Sequence, residues 1–147
     1  MKYLIILFVV ALALAPLTHF LPSKRQRQLA RLREYAAVHG LFVEFRNLPG
    51  AREGERAEQV IYYGKRLPAS RGEPRRQRAW IGGAGHWRGA GHRDPVPTAT
   101  EGFPAQILAC SEDEGSCGAY WKEDGEEADV AAIVAALEAW SGVEKAA

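Results

Sequence analysis

The feature that most constrains this chain is the stretch from Tyr3 to Leu21. It is nineteen residues long, and Thr18 and His19 are its only clearly polar members. A run so uniformly apolar has no wet face, so it does not read as the amphipathic helix of a soluble core. As a helix it is just long enough to cross the hydrocarbon of a bilayer. Ala13-Leu14-Ala15 resembles a signal-peptidase box, with Lys2 as a short basic start. Pro16 directly after the box disfavours cleavage, and so does the strongly basic segment that would have to be exported. The reading is a retained anchor over residues 1–22.

Five cations follow at once: Lys24, Arg25, Arg27, Arg31 and Arg33, with no acidic residue from Phe20 to Arg33. Positive flanks stay in the cytoplasm. The expected topology is therefore a single pass with the N-terminus outside and residues 22–147 inside. Ser23 is a natural N-cap and Gly40 a natural C-terminal stop, so residues 23–40 read as a basic juxtamembrane helix. Leu29, Leu32, Tyr35 and Ala36 form its narrow apolar stripe. Two roles fit this helix: its cations meet anionic lipid, or its stripe packs on the domain that follows.

Residues 41–147 read as one small α+β domain, a mostly antiparallel sheet with a C-terminal amphipathic helix. Residues 41–46 alternate apolar and polar side chains, QVIYYG at 59–64 is β-branched and aromatic, and 79–81, 106–110 and 117–122 are shorter strand candidates. The basic, proline-punctuated segment 65–78 and the glycine-rich segment 82–93 read as loops. Near the end, Val130, Ile133, Val134, Leu137 and Trp140 recur at helical spacing behind Glu126, Glu127 and Asp129, and Gly142 is the expected stop. Charge is unevenly spread. Pro22 to Arg93 carries 16 Lys/Arg against 6 Asp/Glu, and Ser111 to Ala147 carries 2 against 10. The two halves are suited to pair with each other or to face different partners.

Motifs that carry chemistry are sparse. Gly83-Ala84-Gly85-His86-Trp87-Arg88 is followed by Gly89-Ala90-Gly91-His92-Arg93, a local duplication. It lacks the G-x-G-x-x-G or Gly-Lys-Ser/Thr context of a phosphate loop. His86, His92, Cys110 and Cys117 have H-x5-H and C-x6-C spacings, wider than the pairs that hold zinc. The same two cysteines bracket the expected hairpin loop SEDEGS, so they are expected opposite each other as reduced thiols. Basic and aromatic residues mix at Tyr62, Tyr63, Lys65 and Arg66, but the acidic tail opposes a nucleic-acid partner. No cofactor and no catalytic residue is assigned.

The run Phe20-Leu21-Pro22-Ser23-Lys24-Arg25-Gln26-Arg27-Gln28 places a proline and a Gln/Lys/Arg cluster directly after a single span. Here the chain resembles the YajC-type auxiliary preprotein translocase subunit. Residues 1–46, including the strand start Gly40-Leu41-Phe42-Val43, also look like a group of small single-span bacterial inner-membrane proteins. The resemblance implies a non-catalytic accessory or adaptor in the inner membrane, with a membrane-protein partner of the translocase kind. Two further expectations come from other classes. One is an enzyme acting on a lipid or phosphorylated substrate at the membrane surface through residues 82–93. The other is an anchored periplasmic binding domain.

Overall fold

The computed structural model describes residues 1–52, 54–83 and 85–146. Two units divide the chain, Met1–Ala30 and Arg31–Ala147.

The first unit opens with helix α1, Lys2–Leu14, which continues as a 3₁₀ segment, Ala15–Phe20. The change of pitch coincides with Pro16, which lacks an N–H and crowds the preceding turn. None of the side chains from Lys2 to Phe20 is buried. The stretch rises about 31 Å at 1.5 Å per α residue and 2.0 Å per 3₁₀ residue. It is long and apolar enough to span a membrane; a signal sequence meets the same test. Helix α2, Lys24–Val38, starts at the expected cap. The Ser23 hydroxyl accepts from the Gln26 N–H at 3.2 Å, and the Gln26 side chain accepts from the Ser23 N–H at 3.0 Å. This reciprocal capping box satisfies two donors that the first turn leaves open. Gly40, at φ 84°, ends α2 and turns the chain into the sheet.

The second unit is α+β. Among the described residues, six strands form one wholly antiparallel sheet: β1 Leu41–Asn47, β2 Gln59–Arg66, β3 Arg78–Gly83, β4 His86–Gly89, β5 Ala109–Glu112 and β6 Ser116–Trp121. Their order is β1-β2-β6-β5-β3-β4, which makes β6 and β5 central and leaves β1 and β4 as edges. Helix α3, Glu127–Ala146, runs through Gly142 instead of stopping there. A glycine in a helical conformation weakens a helix by about 1 kcal/mol but does not end it.

One face of the sheet carries the main core. Tyr63, Trp80, Cys110, Cys117, Ala119 and Trp121 pack beneath Val130, Ile133, Val134, Leu137 and Trp140 of α3 and Leu32 and Ala36 of α2. Leu32, Tyr35 and Ala36 of the α2 stripe thus pack on the domain, and the stripe of α3 is buried as its spacing predicts. Each fully buried large side chain contributes about 1.5–3 kcal/mol. Sequence and structure differ at β4, which lies inside the segment expected to be a loop. They differ again at the β5–β6 turn, where the strands close to three residues. Cys110 pairs with Ala119 and Cys117 with Glu112, so the thiols sit diagonally rather than opposite each other.

The opposite face has a smaller cluster of Val60, Tyr62, Ala109 and Tyr120, with Phe42, Leu48 and Leu108 packed against it. Gly64 and Gly118 face each other across β2 and β6, and the Tyr62 ring covers both. A Cβ on Gly118 would lie 2.6 Å from the Tyr62 hydroxyl oxygen.

Candidate functional site

Three places in the chain hold the side chains singled out above: the basic flank, two buried carboxylate clasps, and the duplicated Gly/His segment.

Lys24, Arg25, Arg27 and Arg31 are exposed along the first two turns of α2. Arg33 departs from that set. It faces the domain, where its Nε and Nη2 donate to the two oxygens of Glu123 at 2.9 and 2.8 Å. The guanidinium expected at the membrane surface is therefore engaged by the domain in the folded chain. Glu123 is almost fully buried and also accepts the Tyr63 O–H at 2.7 Å. Hydrogen bonding to the carboxylate raises the Arg33 pKa above its ordinary value. Burial and the adjoining carboxylate push the Tyr63 phenol well up. Glu123 has φ 53°, a left-handed backbone that costs a non-glycine residue roughly 1–2 kcal/mol. The turn between β6 and α3 tolerates it because Arg33 and Tyr63 hold the side chain in place.

The second clasp joins β3, β5 and α3. Glu112, also almost fully buried, accepts from Arg78 Nη2 on one oxygen and from the Trp140 indole N–H on the other at 3.2 Å. Arg78 Nη1 stands 3.8 Å from Asp94, and the guanidinium lies 5.5 Å from the centre of the Trp80 ring. Arg78 Nε and the Trp121 indole nitrogen are buried without a hydrogen-bond partner, each a cost on the order of 1–3 kcal/mol. A cavity of about 240 Å³ opens over this clasp, walled by Trp80, Trp140, Pro95 and Ala99. A second, of about 420 Å³, shares Val96–Thr98 with it and is lined by Trp87, Glu101 and Phe103.

The duplicated motif is a duplicated turn. Gly85 and Gly91 occupy equivalent places in the two copies, with φ of 87° and 79°. The first copy turns β3 into β4; the second turns the chain away from β4. Glycine permits close approach at two places: a Cβ on Gly82 of β3 would lie 2.9 Å from the Trp87 Cα of β4, and one on Gly89 would lie 2.9 Å from the His92 ring. His92 accepts the Asp94 N–H at Nδ1, 3.2 Å, so its proton is on Nε2, which donates to the Ala79 carbonyl at 2.7 Å. His86 is exposed at the start of β4. Among the described residues, no three His, Cys, Asp or Glu converge as metal ligands.

Cys110 and Cys117 are buried under α3 and are not joined in a disulfide. Burial, then the neighbouring Cys117 and Glu112, push the Cys110 thiol well up, away from the thiolate a nucleophile needs.

The clasps were not foreseen from sequence. Arg33 and Glu123 stand ninety residues apart, and Arg78 and Glu112 thirty-four. No local pattern links either pair; only the asymmetry between a basic first half and an acidic last third hints at them. Comparison of the chain with known protein families, with curated proteins and with solved structures finds no match.

Proposed function

We propose that this chain is a non-catalytic, membrane-anchored accessory or adaptor protein of a bacterial inner membrane, with a single span and residues 22–147 in the cytoplasm. The observation that carries the reading is the exposed apolar stretch Lys2–Phe20 followed directly by the exposed cations of α2. Such a flank holds its side of the membrane and attracts anionic lipid, at about 1 kcal/mol per cation near the surface. The domain's interior supports an adaptor over an enzyme. Glu112, Glu123 and His92 each have their polar atoms engaged in joining strands and helices. The Gly/His segment, the basis for an enzyme acting on a lipid or phosphorylated substrate, serves as two turns. The N-terminal resemblance makes a membrane complex of the preprotein-translocase kind the partner of choice.

Photo-crosslinking in intact membranes tests this, with crosslinkers placed at exposed positions of residues 41–147. The expected product joins the chain to a membrane protein. Recovery of only soluble periplasmic proteins would overturn the reading.

A further inference from the structure

The two sheet edges are unlike. β4 is four residues long, as short edge strands usually are. β1 is seven residues long, LFVEFRN, with no proline, glycine or lysine to blunt it. It is the terminal strand, so one row of its backbone groups points away from β2. Near its centre Phe45 is 63% exposed, an unusual place for a phenylalanine on an open edge.

We propose that β1 pairs with β1 of a second copy, antiparallel and about a two-fold axis, to make one continuous sheet across two chains. The axis must stand perpendicular to the sheet, because directly opposed residues in an antiparallel pair share a face. Only registers that place a residue opposite its own copy satisfy this. Centring on Glu44 sets two carboxylates face to face, and centring on Arg46 sets two guanidinium groups face to face. Centring on Phe45 places Glu44 opposite Arg46 of the second copy, twice, and Val43 opposite Asn47. On one face the charges of Glu44 and Arg46 then alternate around the axis; on the other the two Phe45 rings meet and cover each other.

The structure supplies what this register needs. Glu44 and Arg46 already lie side by side on the face opposite the helices, in an ion pair. Arg46 is held on that face by the Tyr62 ring at 3.8 Å and by Asp113 at 3.5 Å, both inward of β1, which fixes its guanidinium beside Glu44. The two-fold axis also puts the C-terminal half of α2, Arg31–Val38, on the same face of the joined sheet in both copies. Membrane anchoring raises the effective concentration of the two edges and favours such a pair.

The test is disulfide trapping of the full-length chain in native membranes. Cys110 and Cys117 are buried, so the wild-type chain is the blank. Phe45→Cys is expected to give a product of twice the chain mass on mild oxidation, at least fivefold above Val38→Cys, an exposed position outside the strand. Val43→Cys and Asn47→Cys are expected to cross-link when co-expressed and not when each is alone. Adding Glu44→Lys to Phe45→Cys sets a lysine opposite Arg46 and is expected to reduce the product severalfold. Phe45→Cys cross-linking no better than Val38→Cys would overturn the proposal. So would trapping of a protein of different mass, or a yield that Glu44→Lys leaves unchanged.

Discussion

Replacing Arg33 by methionine removes the guanidinium from Glu123 while keeping most of the alkyl stem. Two charge-assisted hydrogen bonds of 2.9 and 2.8 Å are lost. The carboxylate, whose side chain is 3% exposed, keeps the Tyr63 hydroxyl as its side-chain partner among the described residues. Stranding a fully buried charge costs about 3–5 kcal/mol. The Arg33 side chain is 40% exposed, so water reaches its position and screens part of the loss. The expected cost is about 2 kcal/mol. Glu123→Gln keeps an acceptor for Tyr63 and is expected to cost about 1–2 kcal/mol. The two groups act as one unit, so Arg33→Met/Glu123→Gln is expected to cost less than the sum by about 1 kcal/mol. Urea unfolding of the full chain in detergent measures all three. Tryptophan fluorescence reports it, since Trp121 lies 5.3 Å from the Tyr63 ring. A coupling below about 0.3 kcal/mol would refute the claim that the pair fastens α2 to the sheet.

Three further outcomes are expected. Gly118→Ala forces the Tyr62 ring off β6 and disturbs its 3.2 Å bond to Ser116 and its contact with Arg46, at about 3 kcal/mol in the same urea assay. Burial raises the Tyr62 and Tyr63 phenols well above the ordinary value of 10. Their contribution is therefore fully present below pH 10 and is lost above it, as the unfolded chain sheds protons that the native chain keeps. The slope is about 2.7 kcal/mol per pH unit for the two together, and absorbance near 295 nm should show both phenols ionising only on unfolding. Finally, if the domain lies in the cytoplasm as proposed, its reducing milieu keeps Cys110 and Cys117 as thiols, and acid-quenched, denatured samples from cells should take two maleimide mass tags per chain without reduction; tags that appear only after reduction would contradict the proposed compartment.

The local rules carried far in this chain. Ser23 and Gly40 bound α2 where cap chemistry puts them, and the α3 stripe is buried residue for residue. Alternation found β1, and β-branched and aromatic residues found β2. Composition misled at His86–Gly89, because glycine is the usual mark of a loop. Here glycine serves close approach instead: Gly82 lets β3 run tight against β4, and Gly89 makes room for His92. The site was far less legible. The five cations were plain as a cluster, yet whether Arg33 turns to lipid or to the domain depends on a carboxylate ninety residues away. Tertiary pairing of that kind leaves no periodicity to read. Glu123 is harder still, since a glutamate in a polar turn gives no sign that its side chain is buried or that its φ is positive.

The central claim is the sidedness of the anchor. A single exposed thiol at Val38→Cys, outside the strand, reports it, because Cys110 and Cys117 are buried and silent toward reagent in the native chain. Intact spheroplasts are treated with a membrane-impermeant maleimide, and a second sample is lysed first. The account predicts labelling only after lysis, with the chain in the membrane fraction in both cases. Labelling before lysis would place the domain outside, and would contradict the topology, the compartment and the adaptor role together.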